Sequence, residues 1–189
     1  MAKHGVKLEV LESSGSIENL KRLSNDQNRV DFAFVQSGIS DAEGSPDITS
    51  LASVEYEPIW VFSRPSSRPL TRLADLAGHT VTVGVPDSGN RVAALELLKA
   101  NYIDASKATL LDLGGTNALA SLQQGKADAA IIVAAASAPV VRQALDAGLA
   151  VLDFDQADAY VRRFGWLSKV VLPKGAGNLV NYYPAKDIH

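Results

Sequence analysis

A chain of 189 residues, 47% hydrophobic and 21% charged, has the balance of a folded globular protein and is long enough for one sizeable domain or two small lobes. A formal net charge of −3 argues against a broad nucleic-acid or anionic-membrane surface, so any anion site must be local. The absence of Cys excludes disulfides, thiolate metal sites and cysteine nucleophiles while leaving the compartment open.

The chain opens with Val6 to Leu11, where Val6, Leu8 and Val10 alternate with Lys7 and Glu9 in a strand pattern. No run approaches the roughly 20 apolar residues of a membrane span, and Met1 to Lys7 has no apolar signal-peptide core. So abrupt a start fits an excised piece whose export signal has been removed. The break at Ser13 to Ser16 leads into a short helix on Ile17, Leu20 and Leu23, with Ser14 or Ser16 as cap and Glu18 and Asn19 in its first turn. Val30 to Val35 is a second strand, closed by the polar break Gln36, Ser37, Gly38, and Asp41 to Pro46 reads as loop.

Leu51 to Phe62 is an apolar run with a break at Pro58 and a buried strand in Ile59 to Phe62. Ser63 to Leu70 is the linker candidate, since three of its eight residues are Ser and two are Pro. Thr71 to Ala77 reads as a short helix closed by Gly78.

The stretch Thr80 to Ala100 organises the rest. Thr80 to Val85 suits a strand covered on both faces, Pro86 ends it, Asp87, Ser88 and Gly89 supply turn and cap chemistry, and Val92, Leu95 and Leu98 follow helical spacing. A helix thus begins at the carboxyl end of a strand, where free backbone amides together with Ser88, Asn90 and Arg91 could seat a carboxylate or phosphate. Gly84 and Gly89 have P-loop spacing, but Asn90 and Arg91 stand where its Lys and Ser/Thr belong, which argues against phosphate cradling with magnesium. An ordinary capped strand-to-helix junction with a surface Arg accounts for this stretch as well, and on the stretch alone it leads.

Four further units follow. Thr109 to Leu113 is a strand, Ala118 to Gln124 a helix closed by Gly125, and Asp128 to Ala135 a continuous apolar strand. Pro139 sits in the first turn of a helix running to Ala147, Leu149 to Phe154 is a strand, Gln156 to Phe164 a helix, and Ser168 to Leu172 a last strand. Strands alternating with helices predict an α/β protein with mostly parallel sheet, whose ligand loops lie at strand carboxyl ends. Those loops hold no nucleophile beside a His, no close carboxylate pair and no Lys in an apolar pocket, so they fit holding a small anion better than transforming it. His4, His79 and His189 are scattered and read as solvated, and neither a metal nor a cofactor is expected. Ser14, Ser16, Gln36 and Ser37 could equally serve only as caps and turn partners, and Tyr56, Trp60, Tyr160 and Trp166 as packing.

The segments SSGSIENLKRL, VDFAFVQSG, LADLAGHTVTVGVPDSGNRVAALELL, LASLQQGKADAAIIVAAASAP and NYYPAKDIH together resemble the TAXI-type solute receptors of tripartite ATP-independent periplasmic (TRAP) transporters. The resemblance implies a two-lobe type II periplasmic-binding-protein-like fold, here cut short at both ends, with lobe one in 1–64 plus 173–189 and lobe two in 65–172. It implies a periplasmic or extracytoplasmic receptor that closes over a small carboxylate such as glutamate or a dicarboxylate and works with membrane permease subunits, without enzymatic turnover. Carried over, it puts Ser14, Gly15, Ser16 and Asn19 on the first lobe's cleft loop, Gln36 and Ser37 beside it, and Tyr56 near the hinge. Ser88, Gly89, Asn90 and Arg91 fall on the second lobe's anion-binding turn, faced by Ala134 and Ala135, and Arg91 is expected to pair with the carboxylate. The loop AAASAP is plainer than the family's Gly-containing version. A ligand-sensing domain of the same fold within a larger membrane-anchored chain is the alternative, and an enzyme on the same scaffold a more distant one.

Overall fold

The computed structural model describes residues 5–25, 30–39, 47–66 and 69–189. The loop expected over 41–46 and His4 lie outside them. Five strands form one sheet: β1 (Ile59–Ser63), β2 (Thr80–Thr82), β3 (Thr109–Leu111), β4 (Ala129–Val133) and β5 (Ala150–Val151), in the order β3-β2-β4-β1-β5. The helices are α1 (Ser16–Leu23), α2 (Gly89–Ala100), α3 (Gly115–Gln123), α4 (Pro139–Asp146) and α5 (Ala157–Arg163).

β2 runs parallel to β3 and β4, whereas β1 is antiparallel to both its neighbours, β4 and β5. Four strands therefore share one direction, and the sheet is mostly parallel with one reversed strand inserted. β1 pairs Ile59 with Val133 and Ser63 with Ala129, so the chain enters the sheet from the end where β4 leaves it. From β2 the chain crosses to β3 on one side and then to β4 on the other, so the order reverses between β2 and β4. In sheets of this type the crevice outside the strand ends at that reversal is where ligands sit.

The sheet is covered on both faces, and the alternation along its central strands shows it. Val61, Val81, Val83, Ala129 and Ile131 pack with Leu97 and Leu98 of α2 and with Leu73 and Leu76. Trp60, Phe62, Ala130 and Ile132 pack instead with Leu119 and Leu122 of α3 and Val141 and Leu145 of α4. Apolar residues on both faces are what a strand buried in a three-layer sandwich requires, which is why DAAIIVAA carries no polar alternation.

Several expected elements take another form. Thr71 to Ala77 is a single 3-10 turn, Leu73–Leu76, rather than a longer helix, because Asp75 gathers the Thr71 and Arg72 amides at 3.0 Å and the Thr71 hydroxyl at 2.9 Å and tightens it. The strands expected at 6–11 and 30–35 do not form: no described residue completes a ladder with them, and Val10 is 79% and Phe34 77% exposed. Alternation marks a face that suits burial, while a strand also needs a neighbour to take its backbone bonds. Residues 51–58 are neither helix nor strand, and Leu51, Val54 and Tyr56 are exposed. The last expected strand reduces to one bridge, Leu172 to Ile188. The tail beyond it docks beside β5: Phe154 N donates to His189 O at 3.0 Å and the Tyr183 hydroxyl to Leu149 O at 2.5 Å.

Candidate functional site

The site is built where two helix starts adjoin. Helix α1 begins after Gly15, whose φ of 138° suits glycine, and makes no side-chain cap bond there. The expected cap works one residue earlier: the backbone N and Oγ of Ser14 both donate to Glu18 Oε2 at 2.7 Å. Those bonds from Ser14, joined by the Arg22 guanidinium, hold the Glu18 carboxyl at about 2, well below its usual range. Helix α2 begins after Ser88, which caps as expected, its Oγ accepting from Arg91 N at 3.2 Å and donating to Val85 O at 2.7 Å.

These two starts are in contact. A Cβ on Gly15 would lie 3.3 Å from Ser88 Cα, and one on Gly89 would lie 1.9 Å from Gln36 Oε1 and 3.1 Å from Ser16 Oγ. Ser16 is buried, and its Oγ accepts from Gln36 N at 3.0 Å. Gln36 Nε2 donates in turn to Glu57 Oε2 at 2.7 Å. Each helix start carries unpaired amides and about half a positive charge, so bringing two together is unfavourable unless oxygen atoms stand between them. Here Ser16 Oγ, Gln36 Oε1 and Ser88 Oγ gather at that junction. On the flank, Lys21 Nζ reaches Asp87 Oδ1 at 3.1 Å, with both side chains largely exposed.

Of the thirteen residues expected at the site, Gly15, Ser16, Gln36, Ser88 and Gly89 meet directly. Ser14 adjoins them through the Glu18 cap, and Asn19 sets the adjacent turn by donating from Nδ2 to Phe34 O at 2.8 Å. Ser37 is exposed, and Tyr56 is 70% exposed on the approach to β1. Ala134 and Ala135 are at the carboxyl end of β4 with backbones already engaged: Ala134 N donates to Pro58 O, Trp60 Nε1 donates to Ala134 O, and Ala138 N donates to Ala135 O.

Two expected ligand groups have other work. Asn90 Nδ2 donates to Val83 O and Ile131 O, each at 3.1 Å, and its Oδ1 accepts from Val133 N at 2.6 Å, so the carboxamide ties the start of α2 to the exits of β2 and β4. Arg91, expected to pair with the solute's carboxylate, is ion-paired with Asp112, and its Nη1 lies 3.5 Å from Gly84 O. Asp112 and Glu57 were not anticipated, and Asp87 was expected only as a turn residue. Asp112 follows β3, and the parallel register of β2 and β3 brings it beside the β2 exit, a proximity that no local pattern encodes.

Among the described residues no group of three or more His, Asp or Glu is arranged to hold a metal, and no helix is long and apolar enough to cross a membrane.

The family model of the NMT1-like family matches residues 1–185. The chain belongs to the NMT1-like family. NMT1-like chains are periplasmic-binding-protein-like. Among solved structures, this NMT1-like chain is similar to the periplasmic aliphatic sulphonate binding protein SsuA from Escherichia coli, at 26% identity and a TM-score of 0.42, over 50% of this chain and 29% of that one. It is also similar to an ancestral arginine-binding protein bound to arginine, at 20% identity and a TM-score of 0.39, over 52% of this chain and 41% of the other. The chain therefore spans less than half the length of either.

Proposed function

We propose that this NMT1-like chain forms the cleft of an extracytoplasmic solute-binding receptor that captures a small carboxylate-bearing solute between two lobes, without chemical turnover. The observation that carries this reading is the contact between the starts of α1 and α2, Gly15 and Ser16 against Ser88 and Gly89. A carboxylate between them would take backbone amides from both helices and replace neutral oxygens with a full negative charge, which the combined dipole ends favour. The position of the Gly89 turn beside the reversal between β2 and β4 agrees with the place where such sheets bind ligands.

Residues 1–58 make up the first lobe in this reading and residues 59–172 the second, because β1, expected with the first lobe, lies between β4 and β5 in the one sheet. The tail from 173, expected with the first lobe, makes its described contacts with residues 149–154 and is better counted with the second in this arrangement. Arg91 takes a supporting role, contributing positive charge to the turn while Asp112 holds its fork. The resemblance of the cleft segments to TAXI-type receptors favours a TRAP permease as the membrane partner.

The test is mass spectrometry of small molecules released from the purified protein, followed by calorimetry with the acid found and with acetate, succinate and glutamate. A stoichiometric carboxylate that binds the wild type and is weakened by Gly89→Val is the expected result. Binding of none of these acids, or identical binding by the Gly89→Val protein, would overturn the reading.

A further inference from the structure

The turn that brings Gln36 to the start of α2 also carries Gly38, and Gly38 meets a different part of the molecule. A Cβ built on Gly38 would lie 2.5 Å from Cδ2 of Trp166 and 2.7 Å from its Cε2 and Cγ, so the backbone of the turn lies flat on the indole. Its φ of +81° also excludes most side chains. Trp166 is held from the other side. It sits inside the turn closed by Leu167 N donating to Phe164 O at 2.9 Å, with its ring 5.9 Å from that of Phe164, and both Phe164 and Leu167 pack on the core beneath α2. The indole is therefore fixed to the second lobe and the glycine to the first.

We propose that the Gly38–Trp166 contact is a clamp that sets the ratio of closed to open molecules without touching the solute. The inference rests on the two-lobe reading above. Gln36 and Gly38 are two residues apart, so parting the helix starts also parts the glycine from the indole. A contact made only in the closed form stabilises that form by its full free energy, and a solute that binds the closed form gains or loses apparent affinity in the same proportion. Trp166 thereby tunes affinity from outside the candidate site.

The experiment uses ligand-free protein, with acrylamide quenching of tryptophan emission and small-angle scattering as readouts. Of the two Trp residues, Trp60 is 5% exposed, so acrylamide reads Trp166. Gly38→Ala should lower the closed-to-open ratio roughly tenfold, read as a rise in both Trp166 quenching and radius of gyration, and Trp166→Ala should raise the radius of gyration alike. If circular dichroism shows that Gly38→Ala does not fold, Trp166→Ala decides. A folded Gly38→Ala or Trp166→Ala protein with the wild-type radius overturns the clamp. A Gly89→Ala arm separates the two ideas: expansion there alone leaves the two lobes standing and removes the clamp, whereas expansion in none of the three removes the two-lobe reading as well.

Discussion

The Oδ1 atom of Asn90 accepts the amide proton of Val133 at 2.6 Å, and this bond fastens the first turn of α2 to the end of β4. With the two bonds from Nδ2 to Val83 O and Ile131 O, one side chain satisfies three backbone groups at the strand exits where the order of the sheet reverses. Asn90→Ala leaves all three without that partner, at about 1–3 kcal/mol for a buried unsatisfied group. Chemical denaturation should show a loss in that range, accompanied by increased exchange of the Val133 amide. A variant as stable as wild type would show that water replaces the carboxamide and that the staple is dispensable.

Arg91 and Asp112 make a second, separable prediction. Because Asp112 holds the guanidinium, Asp112→Asn should free positive charge at the α2 turn and tighten binding of an anionic solute, by up to about tenfold if one charge-assisted bond of roughly 1.5 kcal/mol is gained. Arg91→Ala should weaken the same binding. Calorimetry with the solute found in the purified protein measures both, and equal affinities for the two variants would place Arg91 outside the anion's reach.

Glu18 supplies a pH dependence whose sign is fixed by its depressed folded value. Its carboxyl is held at about 2 against an ordinary 4.5, so the tie to Ser14 is fully present above 4.5 and is lost as pH falls through about 2. The protection factor of the Ser14 amide, its intrinsic exchange rate divided by the observed rate at the same pH, should fall across that window. In Glu18→Gln the protection factor should be low already at neutral pH and nearly flat between pH 2 and 5. A wild-type profile without a step there would detach Glu18 from the cap.

Thr82 concerns stability alone. It is fully buried in β2 between Leu111 and Ala130, and its hydroxyl has no partner among the described residues. Thr82→Val keeps the shape and removes the orphan group, so it should raise stability by about 1 kcal/mol or more. A lower melting temperature would indicate that the hydroxyl is satisfied by an internal water.

The second half of the molecule was legible because each of its units carries its own signal. Pro139 opens α4, Ser88 caps α2, and the unbroken AAIIV of β4 fits a strand covered on both sides. The direction of β1 was not legible, since IWVFS has the same pattern read either way, and its reversal is decided by which neighbours it meets. For 6–11 and 30–35 the alternation identified a face without identifying a partner. At the site, short-range chemistry such as the Ser88 cap was visible. Asn90 and Arg91 were read as ligand groups because the residues that occupy them, Val133 and Asp112, are 43 and 21 positions away in sequence.

The greasy stretches along the first sixty residues have a practical consequence. Val6, Val10, Phe32, Phe34, Leu51 and Val54 lie open to solvent outside any helix or strand, and exposed apolar surface of this kind promotes clumping between molecules. Salting out with ammonium sulfate should therefore cloud concentrated samples well before the helices melt, and charged replacements at Phe32 and Phe34 should keep them clear.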